Sequence, residues 1–201
     1  MSTLLLGTRN LGKVKEITNI LEDSGWSFSS LREFPNVGSA EENGDTYTDN
    51  AIAKARFYAM ATGLCALADD SGLEVNALGG APGVFSARYA SENASDADRR
   101  ELLLSEFARV GDNERRARFV SAVAIAKADG VVLNVSEGVC EGTITFAPRG
   151  EGGFGYDPLF IPDGYDQTFA ELAETVKNRI SHRARALLKT RDFLMRRNPL
   201  T

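Results

Sequence analysis

The chain has 201 residues, enough to bury a substantial core in one domain or in one domain of two lobes. Its 43% hydrophobic and 25% charged content is ordinary for a globular protein, and a net charge of −5 argues against wrapping nucleic acid by bulk electrostatics. No apolar run reaches the length of a membrane span and no basic stretch with a long apolar core opens the chain, so the expectation is a cytoplasmic protein without a membrane partner.

Residues 3–7 read as a short buried strand and residues 10–24 as a helix. Val14, Ile17 and Leu21 fall at i, i+3 and i+7 with Ile20 beside them, Asn10 is placed to cap the start, and Ser24-Gly25 to stop it. The turn between them carries GTRNLGKV (7–14), which follows the phosphate-loop pattern G-x-x-x-x-G-K but has Val14 where a metal-binding hydroxyl belongs. A strand-to-helix turn offers unpaired N–H groups and the positive end of the helix dipole to an anion, so the context suits a phosphate.

WSFSSL (26–31) alternates like a strand, and 34–45 reads as a loop. The alanine-rich residues 46–62 form a helix stopped by Gly63, and LCALA (64–68) is a strand running into Asp69 and Asp70. GGAPGVFSARYA (79–90) is a glycine-rich loop, and Ser95 to Asp98 resembles a capping box ahead of Leu102–Leu104 and Phe107. Two β-prone runs flank the hairpin signal Asp129-Gly130, and GTITFA (142–147) is expected as another strand. Thr168 to Glu171 is a second capping box, and residues 181–197 make an amphipathic helix through Ala184, Leu187, Leu188, Leu194 and Met195. This order suggests a mixed-sheet α/β or α+β fold. Cys65 and Cys140 sit among apolar or β-prone neighbours as buried thiols do, and their spacing fits no metal pattern.

Adjacent carboxylates at the end of an apolar strand point to opposite faces. One could bind a metal or a nucleophilic water while the other holds a loop or helix end; both could equally be turn formers before Ser71-Gly72. Glu41 or Glu42 could complete a Mg²⁺ site with Asp70, since that ion takes a few carboxylate oxygens plus water and phosphates, or the pair could be a solvated acidic loop. In GGFGYDPLF (152–160) the glycines allow close approach to a ligand and Phe154 or Tyr156 could stack on a base; the same string could be a turn with aromatics in the core. Lys177, His182 and Arg183 follow, the last two opening a helix at the end where cations are disfavoured unless an anion is present.

Taken in order, T-x-N-x-x-K (Thr8, Asn10, Lys13), SAEENG (39–44), NAIAKA (50–55), ADDSGL (68–73), GGAPGVFSARYA, GGFGYDPLF, and Lys177 with SHR (181–183) resemble the inosine triphosphate pyrophosphatase family. The resemblance runs from about Leu4 to Leu188, and the segment from about Ser91 to Arg116 carries no motif of it. It implies an elongated α/β fold, a single 201-residue domain of two lobes around a long mixed sheet with the substrate in the cleft, and a homodimer. It also implies Mg²⁺-dependent hydrolysis of ITP, dITP and XTP, non-standard purine triphosphates, to the monophosphate and pyrophosphate.

By position, the resemblance implies that Thr8, Arg9, Asn10, Leu11, Gly12 and Lys13 hold the phosphates, with Lys54 a further contact. Asp70 becomes the general base and a metal ligand, with Glu41 the other metal position. Ser71, Phe154, Gly155, Tyr156, Asp157, Lys177, His182 and Arg183 contact substrate, the later ones toward the base; His182 and Arg183 are the expected readers of its 6-keto group. Arg9 is bulky where a small residue is common, and Asp49 stands where Glu is familiar. The rival readings are a P-loop NTPase releasing phosphate, against which Val14 speaks, and a nucleotide-binding sensor without turnover.

Overall fold

The computed structural model describes residues 3–110 and 114–197. The chain is mixed α/β, with a six-stranded sheet in the order β2-β1-β3-β4-β5-β6. These strands are β1 (Thr3–Leu6), β2 (Ser27–Ser30), β3 (Cys65–Val75), β4 (Arg116–Ala126), β5 (Val132–Ile144) and β6 (Phe160–Pro162). β1 pairs in parallel with β2 and with β3, while β6 runs antiparallel to β5. β4 and β5 are joined through 127–131, too short for a parallel crossover, and Gly130 turns the chain at φ 81° with its N–H on the Lys127 carbonyl. The helices are α1 (Leu11–Leu21), α2 (Tyr47–Thr62), α3 (Asp96–Val110), α4 (Glu174–Ile180) and α5 (His182–Arg196). Among the described residues no helix is long and apolar enough to cross a membrane.

Two compact units are formed. One takes the described residues up to Asp70, Ser121–Gly138 and those from His182 onward; the other takes the described residues of Ser71–Val120 and Val139–Ser181. In the first, Ile17, Ile20 and Leu21 of α1 pack with Leu4, Leu6 and Leu67 of the strands and with Ala184, Leu187 and Leu194 of α5. Val14 joins this core from its edge. In the second, Leu73, Val75, Leu103, Phe107, Phe119, Phe160 and Phe169 are the main filling, with the Phe119 and Phe160 rings 4.7 Å apart edge to face.

The capping signals work locally. Thr46 Oγ1 accepts the Asp49 N–H at 3.0 Å and donates to Asp49 Oδ2 at 2.7 Å, and α2 ends at Gly63 with φ 71°. The Ser95 box closes in both directions, with Ser95 Oγ accepting the Asp98 N–H and Asp98 Oδ2 accepting the Ser95 N–H.

Four expectations are corrected. The strand expected to end at Ala68 runs to Val75, so Asp69 and Asp70 lie inside β3 rather than at a turn. GTITFA is not a separate strand: its first three residues are the end of β5. Glu171 does accept the Thr168 N–H, but Thr168 Oγ1 donates to the Arg149 carbonyl, and the box closes a turn with α4 starting only at Glu174. Met195 is 56% exposed, so the buried stripe of α5 ends at Leu194. Both cysteines are free thiols.

Candidate active site

The turn after β1 is built by its own side chains. The Gly7 N–H donates to the Leu67 carbonyl at 2.7 Å, and a Cβ on Gly7 would stand 2.8 Å from the Tyr58 ring. Close packing, not a phosphate, requires that glycine. Thr8 Oγ1 accepts the Asn10 N–H at 3.2 Å, and Asn10 Oδ1 accepts the Lys13 N–H at 3.1 Å, which caps α1. Arg9 Nη2 donates to the Val37 carbonyl at 2.6 Å and ties the turn to the 34–45 loop. Leu11 is 58% exposed, and the first turn of α1, which includes Gly12, holds no acidic residue. Lys13 therefore brings positive charge to an end of the helix that already favours an anion.

Lys13 Nζ lies 2.9 Å from Asp69 Oδ2. The same oxygen accepts from Arg183 Nε at 3.0 Å, and Arg183 Nη1 donates to Glu16 Oε2 at 2.5 Å. Arg183 is only 2% exposed, and Asp69 and Glu16 are buried with it, so each charge is compensated by an opposite one. Burial alone would raise the Asp69 carboxyl, but Lys13 and Arg183 outweigh it and hold the group well below the usual carboxylate range. Burial pulls the Lys13 ammonium down further than Asp69 restores it. Burial also works against the Arg183 guanidinium, which Asp69 and Glu16 nevertheless drive up.

Asp70, one residue on, meets a different set, as alternation along a strand requires. Its Oδ1 accepts from Lys54 Nζ at 2.9 Å and its Oδ2 from Asn50 Nδ2 at 3.1 Å. Asn50 and Lys54 are one turn apart on α2 and so reach the same carboxylate. Glu42 Oε2 stands 3.3 Å from Lys54 Nζ, whereas Glu41 is exposed and accepts from Asn43 Nδ2 at 3.0 Å. Burial raises the Asp70 carboxyl, with Lys54 opposing. Burial likewise works against the Lys54 ammonium, but Asp70, Asp69 and Glu42 leave it raised.

In the other unit, the glycine-aromatic loop is gathered round Asp157. Asp157 Oδ2 accepts the Phe154 N–H at 2.9 Å and Lys177 Nζ at 2.5 Å. The Lys177 ammonium also sits 4.7 Å from the centre of the Phe154 ring, within cation–π range. Gly153, at φ 71°, leaves room for this carboxylate: a Cβ there would stand 2.1 Å from Asp157 Oδ2. Tyr156 is different. Its ring is buried in the core and its hydroxyl donates to the Ser86 carbonyl at 3.1 Å, while Phe154 is only half-buried.

The first unit thus brings together the Thr8–Lys13 turn, Lys54, Asp70 and Arg183, with His182 buried beside Arg183 at the start of α5. The second holds Phe154, Gly155, Tyr156, Asp157 and Lys177, and Ser71 lies half-buried on β3. Two residues escaped the reading of the sequence. Asn50 could have been found from its i, i+4 spacing to Lys54, and Glu16 from a carboxylate three residues after Lys13 and beside Ile17 in an apolar stripe. Glu42, weighed only as an alternative to Glu41, is the one that reaches Lys54.

A mixed sheet whose strand-to-helix turn carries a lysine, beside two buried aspartates each set on a lysine, has the make-up of a phosphate-handling α/β protein. Residues 4–193 match the Ham1 family, and the chain belongs to that family. It is 51% identical over 193 residues to a dITP/XTP pyrophosphatase of Desulforamulus reducens, covering 96% of each chain. Among solved structures it is similar to a HAM1 protein of Coxiella burnetii, with 42% identity, a TM-score of 0.88 and coverage of 98% of this chain and 100% of that one. A nucleoside-triphosphatase / dITP/XTP pyrophosphatase of Mycobacterium abscessus matches at 41% identity and a TM-score of 0.74, over 94% of this chain and 98% of its own.

Proposed function

We propose that this protein hydrolyses non-standard purine nucleoside triphosphates (ITP, dITP and XTP) to the monophosphate and pyrophosphate. The observation that carries this reading is Asp70, a buried carboxylate gripped on both oxygens by Lys54 and Asn50, next in the strand to the aspartate that holds Lys13. Two lysines near a buried carboxylate suit a polyanion and a water-activating base. The names of the similar proteins support pyrophosphate release and the purine substrates.

Lys13 and the N-terminus of α1 take phosphate charge, and Lys54 takes more of it. Asp70 orients the attacking water and accepts its proton, burial raising the basicity of the carboxylate against the opposing pull of Lys54. The donors present suit Mg²⁺, which takes one or two carboxylates and completes its shell with water and substrate phosphates. Among the described residues no three His, Cys, Asp or Glu side chains are grouped to hold a metal ion, so water and substrate oxygens would have to supply most of its shell. Asp70 with Glu41 or Glu42 would hold the ion, which when bound neutralises charge on the phosphates.

Phe154 stacks on the purine, and Asp157 and Lys177 beside it read its edge. Arg183, committed to Asp69 and Glu16, acts on the substrate through Lys13 instead. Arg183→Ala is therefore expected to raise KM for ITP and ATP alike; a rise confined to ITP would return Arg183 to base reading. The resemblance to the family further implies a homodimer, which sedimentation equilibrium tests.

The decisive assay incubates the protein with ITP, dITP, XTP, ATP or GTP and Mg²⁺ and measures pyrophosphate and phosphate separately. Pyrophosphate from the first three is the expected result. Phosphate would favour a P-loop-like NTPase, and binding with neither product a sensor.

A further inference from the structure

The segment around the start of α3 carries no motif of the family resemblance, yet it grips the proposed base-stacking loop. The Gly155 N–H donates to Asp96 Oδ2 at 2.7 Å, and the Gly155 carbonyl accepts from Arg100 Nη1 at 2.7 Å. Asp96 and Arg100 are four residues apart on α3, so one helical turn presents an acceptor and a donor together. Both are charged groups on a neutral peptide, which makes the bonds stronger than ordinary ones. Asp96 is itself oriented: its Oδ1 pairs with Arg99, whose Nη1 donates to the Ala87 and Ala94 carbonyls at 2.7 and 2.8 Å.

The peptide before Gly155 is also held, its Phe154 carbonyl accepting the Asp157 N–H at 3.1 Å. The Gly155 backbone is left-handed at φ 60°, and a Cβ there would meet no atom within 4 Å, so side-chain packing does not fix it. Its neighbours are fixed from other directions, Phe154 through its N–H on Asp157 and Tyr156 through its hydroxyl on the Ser86 carbonyl. Gly155 lies between the half-buried Phe154 ring and the buried Tyr156 ring, and its own N–H and carbonyl are the groups that α3 holds.

We propose that Asp96 and Arg100 are positioning residues for purine selection, clamping Gly155 so that the Phe154 ring keeps one stacking angle. This rests on the assignment of Phe154 to the base. A loose loop still stacks on any purine, because stacking alone is tolerant of base identity. A clamped one demands that the base edge meet its polar partners in register, and a site that leaves such groups unpaired against the wrong base rejects it. The clamp therefore raises discrimination without touching the phosphates or the attacking water.

The test compares Asp96→Ala and Arg100→Ala with Asp96→Asn and Arg100→Lys, which keep an acceptor and a donor for Gly155. Steady-state kinetics with ITP and ATP should show each alanine variant raising KM for ITP about tenfold, with kcat within about twofold. The ratio of kcat/KM for ITP over ATP should fall, and the Asn and Lys variants should recover most of it. Amide hydrogen exchange, read without substrate, should quicken at residues 154–156 in the alanine variants. Unchanged exchange and unchanged KM would overturn the clamp. So would an equal loss of kcat on both nucleotides with a lowered Tm and no rescue, which marks a merely structural helix cap. Wild-type protein that releases no pyrophosphate from ITP defeats the proposed function instead, and exchange at Gly155 still decides the clamp.

Discussion

The proposed phosphate-binding group in one unit and the proposed base-stacking loop in the other hold their side chains by opposite means. Lys13, Asp69, Arg183, Glu16, Lys54 and Asp70 are charges buried against charges, each set beside an opposite one. The Phe154–Asp157 loop has one buried ion pair, Lys177 with Asp157, and otherwise depends on backbone groups bonded to side chains and on glycines at positive φ. The first arrangement is intolerant of losing a charge, because the partner is left uncompensated in a poor solvent. The second tolerates changes of charge better than changes of geometry.

The largest break in the comparison is expected at Asp70. Asp70→Asn should lower kcat by about 10²–10⁴, the range for a general base, while nucleotide affinity by equilibrium binding stays close to wild type. Turnover at the wild-type rate would remove Asp70 from the mechanism. Asp69→Ala strands Lys13 and Arg183 together, and urea denaturation should show a loss of about 3–5 kcal/mol. A loss under 1 kcal/mol would mean that water enters and solvates the pair.

In the other unit, Phe154→Ala should leave stability nearly unchanged, since the ring is half-buried, but weaken binding of IMP by roughly tenfold or more, the value of one stacked base. Equal affinity in a titration would take the base away from this ring. The smallest effect concerns pH. Burial works against the Asp96 carboxylate, but the Gly155 N–H and Arg99 outweigh it and hold its pKa below the usual value of 3.8. A depressed carboxylate contributes stability that is complete above its unfolded pKa and is lost as pH falls through the folded one. The Tm difference between wild type and Asp96→Asn should thus be flat from neutral pH down to about 4 and shrink below it. A difference that grows toward low pH would reverse the sign of the shift.

How much was legible beforehand varies by element in a physically sensible way. Asn10, Thr46, Gly63 and the Ser95–Asp98 box were readable because a cap is a contact between residues a few positions apart. Thr168 and Glu171 had the same spelling, but the Arg149 carbonyl took the Thr168 hydroxyl, and that competitor lies 19 residues away. The end of β3 was misjudged for the same kind of reason. Asp-Asp-Ser-Gly looks like a turn until Lys13, Arg183, Lys54 and Asn50 supply partners that let two aspartates stay inside a strand. Tyr156 and Phe154 were indistinguishable as stacking candidates, and burial of the Tyr156 ring with its hydroxyl on the Ser86 carbonyl shows that Tyr156 faces the core.

By itself the sequence determined the mixed α/β class, the helix limits set by local caps, the lysine-bearing turn and the family to which the chain belongs. These rest on spacing along the chain, which folding does not change. Tertiary structure alone decided which carboxylate meets which cation, why Gly7 must lack a side chain, and that Arg183 is locked between Asp69 and Glu16, 114 and 167 residues away. A buried charge is stable only beside its opposite, and which opposite arrives is settled by how the strands and helices pack.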